Sequence, residues 1–415
     1  MAGGKSSFFK GVNKKEAWSW AFFDFANSSY SLIIFSFVFP IFFKDVIAGS
    51  KGDFLWGLIV SISVLLGGLA APIIGAMADY DSRRKSKFII FTLLAVLGTA
   101  ALFFTGPNTV LLASLLFILT NSFFEIAIIL YDSFLVSVSS RATAGRISGL
   151  GWGLGYLGGV VCMILLKPLY DAGYSAASAS LYKLTFPLTA LFFLIFSLPS
   201  FFFVREKVVR RTASFVQIAK KGFSDVMKTL RNVRKHRKIA KFFLAFYFLS
   251  DALVTLIAFV PIYARQTLSM SMSEIALILL VGQLIGVPAT AFFGWLSDRK
   301  GCKKILLATI AMWLVIMMLL VTATSKTVFL IVGALTGLVI GSSQAVARAW
   351  LSRMIPRAKR SEFFGFSSLT NKISATIGPL IFGLVSLITS SQRWAMLSVV
   401  PFFIIAFVIF AGIKE

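Results

Sequence analysis

GWLSDRKGCKK, residues 294–304, echoes GAMADYDSRRK, residues 75–85, at an offset of 219 residues. Each stretch closes an apolar run of about 20 residues, the length a helix needs to cross roughly 30 Å of hydrocarbon. Each residue type suits the edge of a membrane. Gly75 and Gly294 let neighbouring helices approach closely, and Asp79 and Asp298 are expected to accept from backbone donors at a helix N-terminus. Arg83, Arg84 and Arg299 hold the loops on one side of the bilayer, and Gly301 completes the second copy. A short loop after any span tends to read Asp-Arg-Lys, so one copy would mean little, but two copies at matching places indicate a duplicated chain. Pro40 and Pro261, 221 apart, and RISGL (146–150) and EFFGF (362–366), 216 apart, repeat with them.

Composition sets the medium. Of the 415 residues, 58% are hydrophobic and 14% charged, with 44 Phe and a mean hydropathy of +0.88, beyond the balance of a water-soluble core. Apolar runs recur at 17–43, 54–78, 88–105, 109–138, 147–167, 183–204, 241–263, 274–296, 304–323, 327–352, 364–389 and 392–412, predicting twelve spans. They are too long and too evenly apolar for barrel strands, so the spans are helices. The first run is too long for a cleavable leader. The expected fold class is an all-α membrane protein of twelve transmembrane helices in two pseudo-symmetric six-helix bundles. Residues 1–204 form the first bundle, 205–240 a basic linker and 241–415 the second bundle.

The net charge of +25 is distributed as a topology signal. On the twelve-span reading, 32 of the 41 Lys and Arg fall on the side of both termini and 7 on the other, which predicts cytoplasmic termini and removes the need for a nucleic-acid partner. Within the linker, apolar residues at 215, 219, 223, 226, 230 and 233 with basic residues between them predict an amphipathic helix lying on anionic lipid. His236 stands alone among cations, and Cys162 and Cys302 form no framework, so neither a metal nor another cofactor is expected. Gly153, Gly155 and Gly158 satisfy a dinucleotide-like G-x-G-x-x-G, but they lie inside the fifth span; Gly151, Gly155 and Gly159 read instead as a helix-packing face.

Ionisable residues inside spans cost about 2.5–3.5 kcal/mol each on insertion scales, so they mark faces turned to protein or water. Asp24, Asn27, Ser28 and Ser31 share one face of the first span; Asn121, Glu125 and Asp132 align on the fourth, Tyr247, Asp251 and Thr255 on the seventh, and Gln344 and Arg348 on the tenth. Lys372 lies in the eleventh. Asp132 and Arg348 occupy equivalent places at the 216-residue offset and read as a pairing or gating couple, whereas Glu125 and Asp251, nearer mid-membrane, read as substrate or ion sites. Asp24 is an acid facing a water-filled path, deep in the span yet close enough to its end to belong to a gate.

The duplicated G-x-L-x-D-R-x-G-R/K-R/K signature between spans two and three and between eight and nine resembles that of the major facilitator superfamily. The first copy departs from it at Tyr80 and Ser82. The stretches DFANS (24–28), SGLGWGLGYLGG (148–159) and RAWLSRMIP with EFFGF (348–366) are similar to the branch holding the autophagy-related vacuolar amino-acid effluxers and their bacterial relatives. The resemblance implies a secondary transporter, not an enzyme, with spans one, four, seven and ten around a central cavity and amino acids as substrates. Acids of the first half with Arg348 and Lys372 of the second would meet a zwitterion, and Trp20 and Tyr247 would pack its side chain. An exporter of amphipathic or cationic compounds and a non-transporting receptor or scaffold remain the alternatives. The expected partners are a small molecule, a coupling proton and the bilayer, for a monomer in the inner membrane if the source is bacterial.

Overall fold

The computed structural model describes residues 12–80, 84–139, 143–175, 177–206, 224, 237–354 and 375–414, with backbone only at 71–80, 136, 144–146 and 352. Among the described residues the chain is nearly all helix, with no strand. The helices are α1 (Lys14–Ser29), α2 (Val38–Phe42), α3 (Gly52–Tyr80), α4 (Arg84–Ala101), α5 (Val110–Ser133), α6 (Leu135–Val138), α7 (Ala144–Asp171), α8 (Ala179–Lys183) and α9 (Thr185–Phe203). After residue 236 come α10 (Arg237–Thr267), α11 (Met272–Lys300), α12 (Cys302–Thr322), α13 (Lys326–Met354), α14 (Ile377–Thr389), α15 (Gln392–Leu397) and α16 (Val400–Ala411).

Ten described stretches are long and apolar enough to span a bilayer. The first, Lys14–Ala70, is 57 residues long and holds two expected spans, because the chain reverses between them at a single glycine: π-helical Phe43–Ala48 ends at Gly49, whose φ of 57° turns the chain, and a 3-10 turn at Gly49–Lys51 leads directly into α3. The eleventh expected span is represented by the shorter apolar helix α14, since residues 364–374 lie outside the described residues. Most of the linker, with His236, lies outside them too.

The first span departs from the plain α-helix its composition suggests. Tyr30–Phe37 is π-helical and is followed by the short α2 around Pro40. Proline has no N–H to return to the carbonyl four residues back, here Ser36, and this loosens the turn above it. The Ser36 hydroxyl then donates to the carbonyl of Ile257 in α10 at 2.8 Å.

Helices α1–α9 pack on one another, as do α10–α16, and three seams join the two sets: the first span against α10, α3 against α14, and α7 against α11. Glycines set the closest approaches. Gly151, Gly155 and Gly159 of α7 face Asp24, Ser28 and Leu32 of the first span, as the four-residue spacing predicts. A side chain on Gly383 would stand 2.8 Å from the Phe54 Cα, so α14 and α3 touch backbone to backbone there. Aromatic rings fill the space between. Phe39, for example, stacks on Phe117 at 5.8 Å and meets Trp56 and Phe186 edge-on.

Candidate functional site

Asp24, on α1, is half-buried and held from two sides. The Tyr131 hydroxyl donates to its Oδ2 at 2.8 Å and the Asn27 amide to its Oδ1 at 3.2 Å, with Gly151 of α7 overhead. Tyr131 is itself fixed by Trp20, which stacks on it at 4.6 Å and donates its indole N–H to the Tyr131 carbonyl at 3.1 Å. Trp20 is 3% exposed, so it supports the acid rather than packing a substrate as the sequence suggests.

Asp132, exposed at the end of α5, lies within electrostatic reach of both Asp24 and Arg348. Arg348, on α13, is exposed although it belongs to a span, and its guanidinium stands 5.4 Å from the ring centroid of Trp152 on α7. A cation over an indole face is attracted by the ring quadrupole. The structure thus gathers Asp24, Asp132, Trp152 and Arg348 from four helices of both sets toward the end of the molecule that carries the termini. Trp152 was not among the sequence candidates, and its 46% exposure among packed glycines became evident only with the fold.

Other candidates are placed differently. Glu125 packs against Gly67 of α3 and lies near Tyr30, whose hydroxyl donates to Asn121 at 3.3 Å; Asn121 in turn donates to Ser63 at 2.9 Å. Asp251 is 0% exposed and does not face open space. Both of its oxygens accept the Gly378 N–H, at 2.9 and 3.0 Å, at the start of α14. It therefore does for α14 what an N-cap residue does locally, and Tyr247 lies nearby, half-buried. Gln344 is half-buried within α13. Lys372 lies outside the described residues.

The repeated loops differ from one another. Asp298 does not accept from a helix N-terminus as expected: it lies in the last turns of α11, exposed, and takes Arg353 of α13 at 2.5 Å. The reason is that Gly301, at φ 93°, ends α11 and starts α12 at once, leaving no separate turn for Asp298 to cap. Gly294 lies within α11, where its carbonyl accepts from the Ser297 hydroxyl, and Arg299 lies over Trp295 at 4.2 Å. In the first loop, Gly75 and Asp79 end α3 and Arg83 lies outside the described residues. Arg84 reaches the Ser133 carbonyl and the Ser137 hydroxyl at 3.3 and 3.2 Å. The N-terminus of α4 is satisfied by Glu206, distant in sequence, which accepts the N–H groups of Arg84 and Lys85 at 2.9 and 3.2 Å.

At the opposite end the two sets are tied together. Asp45 accepts from Tyr174 of its own set and from Gln266 of the other, and lies 3.5 Å from Arg265. Arg265 also donates to the Tyr174 hydroxyl at 3.2 and 3.3 Å. Asp53, 4% exposed, accepts from Ser386 at 2.6 Å and Gln392 at 3.0 Å and pairs with Lys44 at 3.4 Å. Ser273 donates to Asp171 at 2.6 Å beside a shallow cleft of about 510 Å³. Burial, with the bond to Asp45, pushes the Tyr174 phenol up to about 12, so it remains a donor. None of these ties was read from sequence; Asp45 and Asp53 lie beside a span end, where acids are unremarkable.

The family model described as "Vacuole effluxer Atg22 like" matches residues 54–415. The chain belongs to this family. It is 28% identical over 412 residues to the uncharacterized MFS-type transporter YxiO of Bacillus subtilis (strain 168), covering 97% of this chain and 95% of that one. Autophagy-related protein 22 of Coccidioides immitis (strain RS) is 21% identical over 406 residues, covering 79% and 66%. Among solved structures, the nucleoside transporter NupG (D323A mutant) superposes with a TM-score of 0.74 at 12% identity, covering 96% of this chain and all of that one. The fold is that of the major facilitator transporters, a twelve-helix, multi-pass membrane architecture, and the Atg22-like chain shares both fold and family with transporters rather than enzymes.

Proposed function

We propose that this Atg22-like protein is a secondary active transporter that carries an amino acid by alternating access between two six-helix bundles, 1–204 and 241–415, joined by the linker 205–240. The observation that carries the reading is Arg348 over Trp152 with Asp132 in reach: a cation, an apolar ring and an acid from both bundles, each exposed although it belongs to a span. Such a set matches a zwitterion, with Arg348 taking the carboxylate, Asp132 or Asp24 the ammonium and Trp152 the side chain. The ties at the far end support a state closed there and open toward the termini. Basic asymmetry makes the terminal end cytoplasmic, in a cell membrane if the source is bacterial, and the sets of α1–α9 and α10–α16 support a monomer as the working unit. Glu125 is the candidate carrier of a coupling proton.

Counterflow of labelled amino acids in proteoliposomes tests this. Arg348→Ala should lower uptake about tenfold or more, and Arg348→Lys, which keeps charge but loses the planar guanidinium, should fall between. Wild-type vesicles that show no flux for any amino acid would remove the substrate class, and wild-type flux in Arg348→Ala would remove the site.

A further inference from the structure

Tyr156 of α7 crosses the seam into the second set of helices. Its hydroxyl lies beside Thr290 of α11, both standing close to the point where a side chain on Gly341 would begin. Its ring edge and hydroxyl lie 3.6 Å from where a side chain on Gly286 would begin, and its hydroxyl 2.9 Å from the corresponding point on Gly341 of α13. One turn away, Gly282 and Gly337 meet backbone to backbone, a side chain on Gly337 standing 2.8 Å from the Gly282 Cα. Two glycine pairs at four-residue spacing thus do different work. Gly282 and Gly337 close α11 onto α13, and Gly286 and Gly341 leave a slot that a tyrosine from the other set fills.

The height of this contact gives it meaning. Tyr156 lies near the middle of α7, about 18 Å from Ala144 and about 22 Å from Asp171 at ~1.5 Å per residue. The other lateral seam is built elsewhere: Gly57 under the Pro379 carbonyl and Gly383 against Asp53 and Phe54 both lie close to the far end, beside the Asp53 ties. When two rigid bodies rock, contacts at the ends must separate and a contact at mid-height moves least. We propose that Tyr156, seated between Gly286, Thr290 and Gly341, is the fulcrum on which the two bundles rock, a positioning residue that stays docked in both states. The inference rests on the alternating-access reading above.

The test reads conformation rather than flux. Spin labels at Ala177 and Ser269, exposed at the far end on opposite sets, report the separation there, and Asp45→Asn with Arg265→Ala, Asp53→Ala and Asp171→Ala releases the far-end ties so that a longer distance is populated. In that background Tyr156→Cys and Thr290→Cys are joined with a short bismaleimide; the native Cys162 and Cys302 are buried. A fulcrum leaves the longer distance present after cross-linking, whereas a latch confines the protein to the short one and overturns the proposal. A single short distance before cross-linking would show that nothing rocks, and both readings would fall together. As a second measure, Tyr156→Phe keeps the ring in its slot and should retain the wild-type distance distribution, while Gly341→Ala, whose methyl would clash with the Thr290 hydroxyl oxygen and stand 2.9 Å from the Tyr156 hydroxyl and so crowds the slot, should broaden it. An unchanged distribution in Gly341→Ala also overturns the fulcrum.

Discussion

Asp251→Ala separates two roles for one buried acid. The carboxylate accepts a single N–H, that of Gly378, through both oxygens at 2.9 and 3.0 Å. A hydrogen bond to a charged group contributes about 1.5–3 kcal/mol in mutational series, and membrane cycles lower that toward about 0.6–1.7. A charge at a helix N-terminus adds up to about 2 kcal/mol in partly buried settings. Removing the acceptor leaves the Gly378 N–H buried without a partner, so Asp251→Ala should cost about 2–4 kcal/mol, and Asp251→Asn, which keeps an oxygen, about half as much. Helices α10–α16 form a set in the range where 1 kcal/mol moves a melting midpoint by about 2–4 °C, so the alanine variant should melt about 4–16 °C below wild type in detergent. Gly378→Ala should show a loss of the same order, because its methyl would clash with the Thr255 Oγ1 and stand 2.8 Å from the Asp251 Oδ1. If Asp251→Ala melts within about 1 °C of wild type, the anchoring argument is refuted. If Asp251→Asn also loses uptake driven by a pH gradient while keeping exchange, the acid returns to the role of ion carrier.

Asp298→Asn breaks an exposed pair with Arg353, and such pairs contribute about 0–1 kcal/mol, so expression and melting should hold while transport falls; unchanged transport in reconstituted vesicles would count against a role for this contact. Ser224→Cys, in the linker region, should react with an impermeant maleimide only in inverted vesicles, and labelling of intact cells would reverse the proposed orientation. Glu125→Gln should retain substrate exchange and lose accumulation driven by a pH gradient; loss of both would make Glu125 a substrate ligand instead. The Tyr174 tie should be insensitive to pH across the physiological range: with its phenol raised from 10.0 to about 12, its contribution is complete below about pH 10 and lost only as pH rises through about 12. A far-end distance between labels at Ala177 and Ser269 that lengthens between pH 6 and 9 in Tyr174 wild type but not in Tyr174→Phe would contradict this.

Sequence alone determined the medium and the architecture, because crossing a bilayer imposes a constraint that each residue meets locally: about 20 apolar residues per helix, with cations held to one side. The duplication was legible for the same reason, since the signatures at 75–85 and 294–304 are short and contiguous. The Gly151, Gly155 and Gly159 face was legible too, because a four-residue spacing has one meaning on a helix. What the tertiary structure decided were roles that depend on which helix lies opposite. Asp24 and Asp251 look alike along the chain, as acids in apolar runs. The first lies among Tyr131, Asn27 and Gly151 beside accessible Asp132, and the second is sealed against the start of α14, because Gly378 comes within 3 Å of it from 127 residues away. The far-end ties of Asp45 and Asp53, the placing of Trp152 beneath Arg348 and the slot that receives Tyr156 arise between distant segments, and periodicity within one helix carries no information about its partner.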